Sequence, residues 1–271
     1  MSTIGVLEAA LRRRRAEGAK LLVPYVTGGL DEEWTTAVRA VAAAGADAIE
    51  IGLPFSDPVM DGPVIQEASS RALARGVTPP SLLDELAGLD AGVPLVVMTY
   101  YNLVYRFGHE RFAAGLADAG VAGAIVPDLP LEEAGPWCAA ADAAGVETVL
   151  LAAPTADDAR LTRICERARG FVYGVGLLGV TGERSLLAAS ATRIASRLKA
   201  LTDKPVLVGI GVSSAEQAAE VSRVSDGVIV GSALVRRLLE GGGPEAAAAF
   251  VAELRAGLDH AAPARAGEAG A

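Results

Sequence analysis

The sequence predicts an α/β fold of the (β/α)8 TIM-barrel type, in which one parallel sheet closes on itself inside a ring of helices. Short apolar runs recur along the chain, each followed by a turn and an Ala- and Leu-rich amphipathic stretch. Continuous apolar strands between helices are typical of a parallel sheet that is buried on both faces. Eight such units favour a closed barrel over an open sheet, and 271 residues suffice for one single-domain barrel.

The apolar runs give the boundaries of the eight predicted strands, which are 20–28, 46–54, 94–101, 123–130, 147–154, 170–176, 205–212 and 227–234. Several helices before these strands are predicted to stop at a glycine in an Ala-Gly-Ala or Ala-Gly-Val triplet, a pattern typical of a left-handed helix end. We predict an extra helix over residues 3–17 before the first strand. We assign residues 1–260 to the barrel and 261–271 to a disordered tail.

Two intervals between strands are unusually long. Most strands start 22 to 29 residues after the previous one, whereas the third starts 48 residues after the second and the seventh 35 after the sixth. The additional residues follow strands 2 and 6 and therefore fall at the carboxyl-terminal face, where barrel enzymes carry their active sites. We expect active-site loops at about 53–62 and 177–185.

Composition and charge exclude several classes of protein. The chain is 51% hydrophobic and 21% charged, which argues against disorder, and its net charge of −9 argues against nucleic acid as a partner. Cys138 and Cys165 fall in predicted helices and indicate free thiols. Without a signal peptide or a membrane-spanning stretch, we expect a cytoplasmic protein. We interpret Arg12–Arg15 as the solvated end of a surface helix rather than a partner-binding patch.

Glu50 is a carboxylate within an apolar strand. It lies between Ile49 and Ile51, and alternation along a strand places it opposite in direction to both. If the two isoleucines face the helices, Glu50 points into the barrel, where a carboxylate is costly unless it is paired or used. We favour a catalytic role over that of a structural carboxylate in a buried network.

Asp61 has two interpretations from the residues alone. It lies in the loop after the second strand, where it is either a site residue at the barrel mouth or the N-cap of a helix that begins with Gly62 and Pro63. Asp57 and Pro58 in the same loop fit simple turn chemistry. Both interpretations of Asp61 stay open at this point.

Glycine turns after three strands are candidates for phosphate binding. They are residues 179–182 after strand 6, 209–211 after strand 7 and 231–232 after strand 8. Barrels commonly bind phosphate with the loops after strands 7 and 8 and a helix N-terminus. We favour phosphate binding over plain turns, because backbone N–H groups hold an anion even in an acidic protein.

The basic residues argue against two kinds of barrel aldolase. None of the lysines and histidines lies at the carboxyl end of a predicted strand; they are Lys20, Lys199, Lys204, His109 and His260. This argues against a Schiff-base lysine and against a zinc site, so we expect no metal. Acid–base chemistry by carboxylates remains, with Tyr101 and Tyr173 as candidate helpers. Inward aromatic packing is an equal alternative for Tyr173.

Several of these segments resemble the tryptophan synthase alpha chain family, in the family order from about residue 20 to 240. The block around Glu50 and Asp61 is specific to that family, whereas the glycines after strands 7 and 8 are shared with many phosphate-binding barrels. The matching segments are EIGLPFSDP (50–58), DGPVIQ (61–66), MTYYN (98–102), VPDLP (126–130), GVTG (179–182), GIGVS (209–213) and GSA (231–233).

The resemblance implies a lyase of L-tryptophan biosynthesis that cleaves indole-3-glycerol phosphate to indole and glyceraldehyde 3-phosphate. The family's catalytic carboxylates fall on Glu50 and Asp61, and its lid threonine falls on Thr181. Tyr101 and Tyr173 are candidates for the apolar wall against the indole ring. The family's phosphate contacts fall on Gly182, Gly211, Gly231 and Ser232.

The resemblance also implies a partner. In this family the alpha chain pairs with a beta chain that carries pyridoxal phosphate and receives the indole, in an alpha2-beta2 complex. It implies no cofactor in this chain and places Asp57 and Pro58 in the contact with the beta chain. The alternatives are a free-standing indole-3-glycerol-phosphate lyase and a non-catalytic barrel that acts as a regulatory binding partner. Intact Glu50 and Asp61 argue against the second alternative.

Overall fold

The computed structural model describes residues 4–176, 184–209 and 211–261, with only the backbone described at 184–189. Eight parallel strands close into one barrel in sequence order, because β1 pairs with both β2 and β8. The strands are β1 (Leu21–Thr27), β2 (Ile49–Gly52), β3 (Leu95–Met98), β4 (Gly123–Ile125), β5 (Glu147–Ala152), β6 (Val172–Val175), β7 (Val206–Gly209) and β8 (Gly227–Val230). The predicted (β/α)8 fold is confirmed.

Helices surround the barrel and cover its N-terminal end. They are α1 (Val6–Ala16), α2 (Trp34–Ala43), α3 (Pro63–Ala74), α4 (Pro79–Ala87), α5 (Tyr101–Phe107), α6 (His109–Asp118), α7 (Gly135–Ala144), α8 (Asp158–Arg167), α9 (Arg184–Leu201), α10 (Ala215–Ser222), α11 (Ser232–Leu239) and α12 (Gly243–Ala261). The predicted loop 53–62 lies between β2 and α3. Most of the predicted loop 177–185 and nearly all of the predicted tail lie outside the described residues.

Alternation along the strands divides the core into two layers. One layer lies between the strands and the helices and includes Ile49 and Ile51 of β2. The other lies inside the barrel, with buried side chains at Leu21, Val23, Ala48, Val96, Ile125, Val149, Leu207 and Ile229. Because both faces of every strand are covered, the strands are apolar almost throughout, which is why a polar strand residue stands out.

The extra N-terminal helix is confirmed and closes the bottom of the barrel. Leu7 and Leu11 of α1 belong to the cluster inside the barrel and are fully buried. The carboxylate of Glu147, at the start of β5, accepts hydrogen bonds from the backbone N–H groups of Leu7 (2.6 Å) and Glu8 (3.1 Å). A side chain 140 positions away therefore caps the first turn of α1.

Three of the four arginines in Arg12–Arg15 form ion pairs within the chain, which corrects the expectation of a solvated helix end, whereas Arg13 is exposed as expected. Arg12 pairs with Asp203 at 3.1 Å, Arg14 with Asp47 at 2.8 Å and Arg15 with Asp226 at 3.2 Å. These carboxylates lie around the N-terminal rim of the barrel, so helix α1 is attached to the rim by charge as well as by its leucines. These ion pairs could not be predicted from the sequence of α1 alone, because their acidic partners lie in distant parts of the chain.

Two further predictions concern the helices. Cys138 in α7 and Cys165 in α8 are both buried and are free thiols. In the part of the chain that the structure describes, no helix combines the length and apolar character needed to cross a bilayer.

Candidate active site

Glu50 points into the barrel from β2. Its neighbours Ile49 and Ile51 pack against the helices, and Ala48, two positions before it, belongs to the interior cluster. The side chain is only 2% exposed, and its Oε2 atom has no hydrogen-bond partner among the described residues. An unpaired buried carboxyl group destabilises a fold, so its presence at the mouth of a barrel is typical of a functional group.

The surroundings of Glu50 favour the protonated form of its carboxyl group. Burial raises the pKa of Glu50 to about 8, and the charge of Asp61 contributes in the same direction. Glu50 is therefore largely protonated at neutral pH, whereas an ordinary glutamate is ionised. A carboxylic acid at pH 7 is able to donate a proton to a bound molecule.

Asp61 faces the site and does not cap the following helix. Helix α3 begins at Pro63 with Gly62 as its N-cap, and no side chain caps it, so the capping interpretation of Asp61 is wrong. Burial raises the pKa of Asp61 to about 6, and a hydrogen bond with the side chain of Tyr100 opposes that increase. Asp61 is consequently ionised for the most part at neutral pH, beside a protonated Glu50.

Tyr100 is a site residue that the analysis of the sequence did not select. Its side chain is 2% exposed and stacks on Phe55, with ring centroids 5.1 Å apart. Its hydroxyl accepts a hydrogen bond from the backbone N–H of Met60 at 3.0 Å and pairs with the Asp61 carboxylate. Tyr100 therefore attaches the loop 53–62 to the end of β3. Its position at the carboxyl end of the predicted strand 94–101 was the available signal.

A cavity of 370 Å³ opens at the carboxyl-terminal end of the barrel. This volume falls in the range of about 300–1,000 Å³ that is typical of small-molecule sites. Asp61 and Tyr173 supply its polar side-chain atoms, and glycines from the ends of β6 and β7 form one side. Its other described lining residues are apolar: Met60, Met98, Ile125, Pro127, Leu151, Ala153, Pro154 and Val175. The cavity therefore suits an apolar ring with one polar edge.

The glycines after β7 and β8 lie at the same end of the barrel. Gly211 lines the cavity with a positive φ of 75°, a conformation that residues with a Cβ rarely adopt. Gly231 follows β8 and is the N-cap of α11, which begins at Ser232. The first N–H groups of a helix and its dipole attract anions. Ser214 is the N-cap of α10, and its side chain accepts a hydrogen bond from the backbone N–H of Gln217.

The two candidate tyrosines take different positions. Tyr173 of β6 lines the cavity. Tyr101 is not one of the described lining residues, because β3 ends at Met98 and Tyr101 already begins α5. Its hydroxyl lies 3.1 Å from Nε2 of His109 on α6. The structure therefore does not support Tyr101 as part of the wall around a substrate.

The remaining predicted residues are Asp57, Pro58, Thr181 and Gly182. Thr181 and Gly182 are outside the described residues. Asp57 is exposed and Pro58 partly exposed in the loop 53–62, next to Val59, whose side chain is 79% exposed. Within the described ranges, no group of three or more His, Cys, Asp or Glu side chains is arranged to hold a metal ion.

Comparison with known proteins agrees with this architecture. The tryptophan synthase alpha chain of Thermobifida fusca is 45% identical over 267 residues, which cover 95% of this chain and 99% of that one. The structure of Mycobacterium tuberculosis tryptophan synthase contains a chain of the same fold, with a TM-score of 0.87, 41% identity and coverage of 94% and 99%. The alpha subunit from Legionella pneumophila matches with a TM-score of 0.86, 31% identity and coverage of 95% and 100%. Residues 11–262 match the family model described as tryptophan synthase alpha chain, and this chain belongs to that family.

Proposed function

We propose that this chain cleaves indole-3-glycerol phosphate to indole and glyceraldehyde 3-phosphate with Glu50 and Asp61 as its catalytic groups. Family membership makes the chain a carbon–carbon lyase of tryptophan biosynthesis. The observation that carries the assignment of residues is a pair of electrostatically coupled carboxyl groups: a protonated Glu50 buried inside the barrel and an ionised Asp61 that lines the apolar cavity. Two carboxyl groups held in different protonation states at one pH are typical of divided acid and base roles.

Glu50 supplies the proton in this proposal. Protonation of indole C3 makes the ring able to accept the electrons of the breaking bond between C3 and the glycerol chain. The hydroxyl on the adjacent glycerol carbon loses its proton and becomes the aldehyde oxygen of the product. After donating its proton to C3, the Glu50 carboxylate is able to take the hydroxyl proton, so one residue serves first as acid and then as base.

Asp61 stabilises the positive charge that develops on the ring. Once C3 is protonated, the indole nitrogen becomes positive, and its N–H is a stronger hydrogen-bond donor. An ionised Asp61 accepts that hydrogen bond more strongly in the transition state than in the ground state, which is the condition for lowering a barrier. The pKa of about 6 keeps this carboxylate ionised at neutral pH.

The remaining site residues bind the substrate. Tyr173 and the apolar residues of the cavity hold the ring. The phosphate binds to backbone N–H groups at Gly211, Gly231 and Ser232. The family resemblance adds Gly182 to these contacts and makes Thr181 the lid threonine; both residues lie outside the described part of the chain. A helix N-terminus and glycine turns bind an anion without a cationic side chain, which suits a chain of net charge −9.

A tryptophan synthase beta chain is the partner in this proposal. The family implies such a partner, and the solved structures that this chain resembles include tryptophan synthase from Mycobacterium tuberculosis. We propose an alpha2-beta2 complex in the cytoplasm, in which Asp57 and Pro58 contact the beta chain. Pyridoxal phosphate then belongs to the beta chain, and the alpha chain works without a cofactor.

Indole release tests the proposal directly. The purified chain is mixed with indole-3-glycerol phosphate, with and without a tryptophan synthase beta chain, and indole is followed over time. We expect slow release by the chain alone and strong acceleration by the beta chain. Fast release without the beta chain indicates a free-standing lyase. No release in either mixture contradicts the assignment of Glu50 and Asp61.

A further inference from the structure

Tyr25 is buried in the site, although no role has been assigned to it above. It lies on β1 directly opposite Glu50 of β2 in the strand register. Leu21 and Val23, on the same face of β1, belong to the interior cluster, so alternation places Tyr25 inside the barrel as well. Its side chain is 5% exposed, and it is not one of the described residues that line the cavity.

Gly52 determines where the Tyr25 hydroxyl lies. Gly52 follows Glu50 on the same face of β2, and a Cβ atom at this position would overlap the Tyr25 hydroxyl. The absence of a side chain at Gly52 therefore leaves the space that the Tyr25 hydroxyl occupies, two residues closer to the barrel mouth than Glu50. Tyr173 and Gly209 form the same arrangement across β6 and β7. The Tyr25 hydroxyl thus lies against the backbone of Gly52.

The charges of Glu50 and Asp61 both affect the pKa of the Tyr25 hydroxyl. Burial raises the pKa of Tyr25 most, an interaction with the Thr27 side chain opposes part of that increase, and the charges of Asp61 and Glu50 add to it. Tyr25 is therefore a neutral hydrogen-bond donor at neutral pH. The other titratable groups around Glu50 are Asp61 from the loop after β2, Tyr100 after β3 and Tyr173 on β6.

We propose that Tyr25 is a positioning residue for the cleavage reaction: its hydroxyl, seated on Gly52, donates a hydrogen bond to the Glu50 carboxylate that forms when Glu50 gives its proton to the substrate. No proton leaves Tyr25 in this step. Glu50 has an oxygen without a partner among the described residues and so has room for this hydrogen bond. The inference rests on the proposed function, in which Glu50 gives its proton to the substrate; the same carboxylate also forms in the free protein above the Glu50 pKa of about 8.

Tyr25 and Tyr173 have different roles in this proposal. Tyr173 lines the cavity, whereas neither Tyr25 nor Glu50 is among its described lining residues, so the proposal has Tyr173 hold the substrate ring and Tyr25 act on Glu50. Removing the Tyr25 hydroxyl should therefore lower kcat and leave KM unchanged. A hydrogen bond to a charged group implies roughly a 10- to 100-fold decrease in kcat.

The test compares Tyr25→Phe, Gly52→Ala and the wild type. Tyr25→Phe removes the hydroxyl and keeps the ring, and Gly52→Ala keeps the hydroxyl but displaces it. Because a donor to the charged form favours that form, its loss raises the pKa of Glu50. We expect both variants to move the alkaline limb of the pH–kcat profile, near pH 8 in the wild type, to higher pH. Tyr105→Phe on α5, at a side chain that is 67% exposed, is the matched control.

Titration of Glu50 in the free protein, by NMR with 13C-labelled glutamate and Glu50→Gln for assignment, separates this inference from the proposed function. An upward shift of the Glu50 titration in both variants supports the contact, whether or not indole is released. An unchanged titration overturns it, even if turnover falls, because the role of Tyr25 would then be packing alone. Absence of turnover by the wild type contradicts the proposed function and leaves the titration to decide on Tyr25.

Discussion

Asp61 acts electrostatically on Glu50 across the mouth of the barrel, and its charge adds to burial in raising the pKa of Glu50 to about 8. The two residues are 11 positions apart, separated by the end of β2 and the loop that follows it. Burial also raises the pKa of Asp61, but only to about 6. Between these two values one group is protonated and the other ionised, which is the combination that the proposed reaction needs.

Replacing Glu50 with Gln should abolish most of the activity and leave the fold intact. The amide has the same shape but no proton to donate, and general acid–base catalysis commonly contributes about 10²–10⁴-fold. Indole release should fall by that factor, while the thermal unfolding temperature stays at or above that of the wild type because a buried carboxyl is removed. Glu253→Gln, at an exposed position of α12, is the control. Near-normal turnover of Glu50→Gln would contradict the assignment of Glu50 as a catalytic residue.

Replacing Asp61 with Asn should change the pH profile as well as the rate. Loss of the negative charge lowers the pKa of Glu50, because that charge is one cause of its increase. Glu50 then loses its proton at a lower pH, and the alkaline limb of kcat moves down from about pH 8. We expect kcat at neutral pH to fall about 10²–10³-fold through the lost acceptor. The control Asp84→Asn on α4 should change neither kcat nor the alkaline limb. An alkaline limb that stays near pH 8 in Asp61→Asn would contradict the electrostatic coupling between Asp61 and Glu50.

Replacing Tyr100 with Phe should act through Asp61. The hydrogen bond from Tyr100 opposes the increase in the pKa of Asp61, so its loss raises that pKa above about 6. Activity requires ionised Asp61, and the acid limb of the profile should therefore move to higher pH. The backbone N–H of Met60 also loses its acceptor, at a cost of about 1 kcal/mol in the free energy of unfolding. A pH profile of Tyr100→Phe identical to that of Tyr105→Phe would exclude this role.

Replacing Glu147 with Ala should destabilise the protein without changing its chemistry. The N–H groups of Leu7 and Glu8 lose their buried acceptor, which costs about 1–3 kcal/mol. Urea unfolding should show this decrease relative to the exposed control Glu133→Gln. Indole release by the folded variant should stay near that of the wild type, because Glu147 lies at the opposite end of the barrel from Asp61. A stability equal to that of the control would show that the cap contributes nothing.

The order of the strands and the direction of Glu50 were predictable from the sequence. Alternation and helical spacing are properties of the local backbone, so an acid between Ile49 and Ile51 has its face decided by its neighbours. Eight apolar runs with helices between them leave few topologies, since parallel strands need crossover connections. The motifs around Glu50 and Asp61 further identified the family.

Contacts between distant segments could not be predicted in this way. Whether Asp61 caps a helix depended on the residue at which α3 begins, and the choice between Tyr100 and Tyr101 depended on where β3 ends. Element ends move by one or two residues through tertiary contacts that no local pattern records.

The barrel, its catalytic end and the inward carboxylate were readable from the amino-acid order, because each follows from backbone periodicity within a few residues. The contact of the Tyr25 hydroxyl with Gly52, opposite Glu50, and the cap that Glu147 places on α1 became visible only in the folded chain. These pairs are formed by the register between strands and by closure of the barrel. Both depend on packing summed over the whole chain rather than on any one segment of it.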